Sequence, residues 1–129
     1  MRVGDQRTMS QEILIVDDEE DILTALKTFY ERYDIHVTTV NNGRDCIKHL
    51  ERGFRGILLI DIMMPGMDGW ATIKEIVNRG LASQVSIKII TGKGTRDHKR
   101  ISRLAPYISD YISKPFDDVI LRSIVEQAM

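Results

Sequence analysis

Cysteine is almost missing from this chain: Cys46 is the only one, so no intramolecular disulfide can form. Its neighbours Ile47 and Leu50 point to ordinary helix packing. Net charge is nearly absent as well. Eighteen Lys and Arg against nineteen Asp and Glu leave a formal charge of −1, which gives no global case for a nucleic-acid or membrane partner. Long apolar runs are missing too. No segment approaches membrane-spanning length, and Met1–Ser10 lacks the apolar stretch of a secretory signal. The expectation is a cytoplasmic protein, with residues 1–10 a disordered leader and residues 11–129 one domain. What the chain does have is apolar material for a core, 43% of its 129 residues.

The most informative stretch is Ile57–Gly69. A short apolar run, long enough for one buried strand, stops at Asp61 and breaks into a loop marked by Pro65, Gly66 and Asp68-Gly69. An acid in that position sits at the carboxyl end of a central strand, the edge where open parallel sheets bind ligands. A lone Asp there would more simply end a strand and start a turn. Upstream, Glu12–Val16 reads as a second buried strand and runs into Asp17-Asp18-Glu19-Glu20-Asp21. Glu19, Glu20 and Asp21 suit the first turn of the following helix, where acids complement its dipole. Asp17 and Asp18 fall at the strand end instead. Two carboxylates about 4 Å apart repel by roughly 4 kcal/mol at an effective dielectric near 20, so the cluster favours a bound cation. An all-oxygen site of this kind suits Mg²⁺.

Two further β-like runs end in polar residues: Val85–Ile90 in Thr91-Gly92, and Asp110–Ser113 in Lys114-Pro115-Phe116. Singly, Thr91 reads as a turn hydroxyl and Lys114 as a surface cation. Together the four strand ends form a set suited to phosphoryl chemistry.

Helical spacing links Ile22, Leu26, Phe29 and Tyr33 after the first strand. Asp34–Val40 is partly alternating, as an outer strand is, and Asn41-Asn42-Gly43 precedes a short helix with Ile47 and Leu50. Trp70, Ile73, Ile76 and Val77 form an amphipathic helix ending near Gly80, with Trp70 as a core anchor. A last helix begins near Asp117 or Asp118 and places Leu121, Ile124, Val125 and Ala128 on one face. Strands alternating with helices imply one α/β domain, a parallel sheet covered on both sides.

These motifs, in this order and approximate spacing, resemble the CheY-like receiver domain of two-component response regulators from Glu12 to Met129. The carriers are Ile-Val-Asp17-Asp18-Glu, Ile60-Asp61-Ile-Met-Met-Pro65-Gly-Met-Asp68-Gly69, Ile-Ile-Thr91-Gly and Asp110-Tyr111-Ile-Ser-Lys114-Pro115-Phe116. The match departs at Gly92, where alanine is more usual, and at Ala105–Ser109, where the family often has a Gly-Ala turn. The resemblance implies a flavodoxin-like (βα)5 domain with strand order 2-1-3-4-5. It implies that Asp61 accepts a phosphoryl group from a histidine kinase or a histidine phosphotransfer protein. Mg²⁺ would be held directly by Asp18, through water by Asp17, and by Asp61 and the Met63 carbonyl. Thr91 and Lys114 would stabilise the phosphoryl oxygens. Thr91 and Tyr111 would form the switch, reshaping the face of the fourth helix, fifth strand and fifth helix toward an output protein or a second copy of the chain. Met63 and Lys93 would tune the lifetime of the acyl phosphate. On the fourth helix Arg96, Arg100 and Arg103 share a stripe, with Lys93 and Lys99 near it, which suits either a solvated face or an acidic partner.

Other phosphate-handling folds fit less well. A haloacid-dehalogenase-type phosphatase needs a second acid where Met63 stands. A P-loop at Gly92-Lys93-Gly94-Thr95 has Gly94 in place of the required Ser or Thr, and Ile87 where its first Gly belongs. A flavodoxin would place its cofactor phosphate against Asp17–Asp21. The remaining alternative is a receiver-shaped interaction module regulated by binding without phosphorylation. A turnover enzyme is not expected.

Overall fold

The computed structural model describes residues 11–64, 66–92 and 103–126, with Thr91 described through its backbone. Five strands form one parallel sheet: β1 (Glu12–Val16), β2 (His36–Val40), β3 (Gly56–Asp61), β4 (Val85–Thr91) and β5 (Ile108–Ser113). Their spatial order is β2-β1-β3-β4-β5, the order implied by the family resemblance. Helices α1 (Glu20–Glu31), α2 (Gly43–Glu51) and α3 (Gly69–Asn78) and the C-terminal helix (Asp118–Glu126) complete the described fold. None of the described helices is long and apolar enough to cross a membrane.

The near-continuous apolar runs of β1 and β3 follow from burial on both faces. Successive side chains point to opposite sides of a strand. Leu14, Val16, Leu58, Ile60, Ile87 and Ile89 therefore join Ile47, Leu50, Trp70 and Ile73 in one cluster, under α2 and α3. Ile13, Ile15, Ile57, Leu59, Ile90 and Ile112 join Leu26, Phe29, Leu121 and Ile124 in the other, under α1 and the C-terminal helix. Each fully buried aliphatic side chain contributes about 1.5–3 kcal/mol, so the two clusters hold the sheet.

Three local readings need correction. Tyr33 lies past the end of α1 and is half exposed, whereas Tyr30 is fully buried and its hydroxyl donates to the Leu121 carbonyl at 2.8 Å. The helix stops one turn short of the extrapolated stripe, and Leu23, Leu26, Phe29 and Tyr30 form its inner face. Strand β5 begins at Ile108, two residues before the expected start at Asp110. A bulge makes the difference: the register passes from Ile87 opposite Ile108 to Lys88 opposite Asp110, leaving Ser109 as the extra residue. The Ser109 hydroxyl donates to the Ile87 carbonyl at 3.0 Å, and the buried Lys88 ammonium donates to Ser109 at 3.4 Å. Glu19 is not in the first turn of α1 but is its N-cap residue. The readings made for Met1–Ser10, Lys93, Arg96, Lys99, Arg100 and Ala128 lie outside the described residues.

Candidate functional site

Strand register builds the site. Val16 of β1 lies opposite Ile60 of β3, so the residues that follow, Asp17 and Asp61, stand side by side. Asp61 is level with Ile90, and Thr91 with Ser113, which brings Lys114 to the same edge one residue later. The carboxylates of Asp17, Asp18 and Asp61 offer oxygens that all lie within 4.8 Å of one another. Asp17 and Asp61 are buried and Asp18 is exposed, so the cluster opens to solvent on one side.

Among the described residues, one ammonium faces these acids. Lys114 Nζ donates to Asp17 Oδ2 at 3.1 Å, to Asp61 Oδ2 at 3.4 Å and to Glu19 Oε1 at 3.4 Å. The Glu19 contact was not anticipated, since 95 residues separate the partners. The only sequence signal for it was an acid surplus beyond what a helix start needs. Asp17 Oδ1 accepts from the Glu19 N–H at 2.9 Å, and Asp61 Oδ1 accepts from the Met63 N–H at 2.9 Å. Each buried carboxylate thus has one oxygen fixed by backbone and the other turned to Lys114.

Burial is the largest influence on Asp61 and raises its pKa above the ordinary carboxylate value. The Asp17 charge adds to the rise, and the Met63 N–H and Lys114 oppose it. For Lys114 burial works against the charge, but the hydrogen bond to Asp17 and the charges of Asp61 and Asp17 together raise its pKa. Three carboxylates against one shared cation leave a surplus of negative charge, partly removed from water. All donors are oxygen, two carboxylates are already oriented, and the third reaches solvent. The residues present fit a hard divalent cation that keeps some of its water.

The end of the loop after β3 seats α3 against the strand. Asp68 caps α3 by accepting from the Ala71 N–H at 2.8 Å. Gly69 lets that helix start directly against the strand, because a Cβ there would lie 2.5 Å from the Asp61 carbonyl oxygen. The Met63 side chain is 61% exposed and stands beside the site. Tyr111, on the edge strand β5, is also exposed, at 45%. The structure therefore brings Asp17, Asp18, Asp61, Met63 and Lys114 together, places the Thr91 backbone at the same edge, and leaves Tyr111 outside the core.

Comparison with known proteins agrees with this geometry. The family profile of the response regulator receiver domain matches residues 13–126. The response regulator SaeR of Staphylococcus aureus is 35% identical over 112 residues, which is 85% of this chain and 47% of SaeR. The chain thus spans about half the length of the curated relatives it matches. Among solved structures, a CheY-like receiver domain protein from Methanospirillum hungatei superposes with a TM-score of 0.85 at 39% identity, covering 92% of this chain and 94% of that one. TrrA from Thermotoga maritima, solved in complex with Mg²⁺-BeF, gives a TM-score of 0.75 at 26% identity, covering 92% and 99%.

Proposed function

The chain belongs to the response regulator receiver family, and from that membership we propose that Asp61 is its phosphoacceptor. The observation that carries the reading is the meeting of Asp61 with Asp17, Asp18 and Lys114 at the end of β3. A carboxylate oxygen of Asp61 attacks the phosphorus of a phosphohistidine. The P–O bond of an acyl phosphate forms, the P–N bond breaks, and the imidazole leaves with the electron pair and takes up a proton. The donor is a histidine kinase or a histidine phosphotransfer protein. Asp61 is regenerated by hydrolysis on the same polypeptide, so the protein is a switch and not a turnover enzyme.

Mg²⁺ is the cofactor this reading requires: Asp18, Asp61 and the Met63 carbonyl would hold it directly and Asp17 through water; the Mg²⁺-BeF complex of TrrA supports the choice. When bound it offsets the carboxylate charge that would otherwise repel an anionic phosphoryl group. The Met63 N–H holds the Asp61 carboxylate in one rotation. Lys114, already oriented toward Asp61 Oδ2, supplies a cation for the phosphoryl oxygens, and Thr91 a hydroxyl donor.

The output follows from a two-state edge. Thr91 moves toward the new phosphoryl oxygens and Tyr111 turns inward from its exposed position. The face formed by the fourth helix, β5 and the C-terminal helix then changes shape for an output protein or domain, or for a second copy of the chain. The reading places the protein in the cytoplasm and gives this domain no contact with nucleic acid or membrane. The experiment is intact-mass measurement after incubation with a small phosphodonor and Mg²⁺. One phosphoryl group, labile to base and hydroxylamine and absent from Asp61→Asn, is expected. No adduct would favour a module regulated by binding alone, and an adduct at Asp68 or on a hydroxyl would displace Asp61 from the role.

A further inference from the structure

Along α3, Trp70, Lys74 and Val77 recur at spacings of four and three and form one stripe. Facing them across a cavity of about 540 Å³ are Arg103, Leu104 and Tyr107, in the segment that leads into β5. That volume lies within the range of small-ligand sites, roughly 300–1,000 Å³. Trp70 and Leu104 are buried and give the cavity an apolar floor, while Lys74, Arg103 and Tyr107 are exposed at its walls. Among the described residues, no acidic side chain lines it, and neither Lys74 nor Arg103 has an ion-pair or side-chain hydrogen-bond partner. Some exposed cations elsewhere are matched, Arg79 with Glu51 and Glu75, Lys48 with Asp45 and Arg122 with Glu126, while others such as Arg44 and Arg55 point singly into solvent. Lys74 and Arg103 differ from these in sharing one cavity with an apolar floor.

The geometry points to a binding site for a small organic anion with a flat apolar body, separate from the phosphoacceptor pocket. The ring system would lie over Trp70 and Leu104, and the anionic group would reach Lys74 and Arg103, where an Arg fork favours carboxylate, sulfonate or phosphate oxygens. A purely apolar ligand would leave both cations without a counter-charge. A simple inorganic anion would leave the floor wet. The combination of floor and walls selects the amphipathic class.

Trp70 is the only tryptophan of the chain, so its emission reports on this cavity alone. The probe is 8-anilinonaphthalene-1-sulfonate, titrated into the natively folded protein. Saturable one-to-one binding is expected, with Trp70 emission quenched and amide shifts confined to α3 and residues 103–107. Lys74→Glu combined with Arg103→Glu changes two exposed side chains and should weaken binding at least tenfold at an unchanged melting temperature. The uncharged N-phenyl-1-naphthylamine should bind at least tenfold more weakly than the sulfonate, and Asp61→Asn should bind the probe as the parent does. Non-saturable binding, equal affinity of the charge-reversed protein, equal affinity of the neutral analogue, or loss of binding in Asp61→Asn would each overturn the assignment.

Discussion

Among the described residues, the buried side chains on the two faces of the sheet are apolar except for Thr72, Lys88 and the Tyr30 hydroxyl, while at its carboxyl edge the buried Asp17 and Asp61 crowd against each other and share one lysine. The faces and the edge belong to the same strands, yet their physics is opposed. Along β3, Ile57 to Ile60 each gain free energy by leaving water, and the next residue, Asp61, is held where burial disfavours its charge. The comparison teaches that stability and reactivity are separated by a single step along the chain. The apolar faces fix the strand ends closely enough to keep like charges together, and the charge surplus that results is what a bound cation would relieve.

The largest effect should come from exchanging one side of this contrast for the other. Leu58→Ala, which empties a fully buried position, should cost about 2–5 kcal/mol in denaturant unfolding. Asp61→Asn, three residues on, should leave the metal-free protein as stable or more so. An Asp61→Asn protein destabilised as much as Leu58→Ala would mean that the edge is part of the core and not strained against it. Mg²⁺ should sharpen the contrast from the other direction. At ten times its dissociation constant it should stabilise the parent by about 1.4 kcal/mol through linkage. Asp18→Asn should lose that response while its metal-free fold is kept, as thermal melts with and without Mg²⁺ would record.

The lifetime of the acyl phosphate proposed for Asp61 should respond to Met63, exposed beside the edge, and to Lys93, two residues after Thr91 in sequence. Met63 offers no strong hydrogen-bonding group to orient an attacking water. Met63→Asn combined with Lys93→Glu should therefore shorten the lifetime after donor removal, each tenfold change corresponding to about 1.4 kcal/mol of barrier. Equal or slower decay would show that these side chains do not govern water access. The smallest effect concerns pH. Because the folded state raises the Asp61 pKa, its contribution to stability is present below the unfolded value, about 4, and is lost as pH rises through the higher folded value. The metal-free parent should fall behind Asp61→Asn across that window and then run parallel to it, as melting temperatures from acid to neutral pH would show.

The elements and the four strand-end residues were legible because each is a local event, an apolar run followed by a polar stop. Three features were not. Tyr30 rather than Tyr33 turns inward because α1 ends at Glu31 and the Tyr30 hydroxyl meets a carbonyl 91 residues away. Glu19 reaches Lys114 across the sheet edge, which no helix-start rule could reveal. Ser109 becomes a bulge because its hydroxyl can bond the Ile87 carbonyl, a choice that exists only once β4 and β5 are paired. The cavity beside Trp70 was hidden for a related reason, since its two walls come from segments about 30 residues apart. In each case the missing information was a long-range contact, not a local preference.

Gln11, just before β1, donates from its side-chain amide to the Val125 carbonyl near the end of the C-terminal helix, at 3.2 Å. Both ends of the described chain are therefore gathered at the amino edge of the sheet, across the molecule from the acids. For protein engineering this separates handling from chemistry. A tag, a surface anchor or a fluorescent protein joined at either end would approach from behind and leave the acid pocket open. The same proximity suits circular permutation. A short linker could join the two ends of the described segment, and the chain could be reopened at the exposed turn around Gly53, where an added side chain would meet nothing within 4 Å. Such a permutant would carry its new termini at the amino end of β3, the end of that strand opposite Asp61.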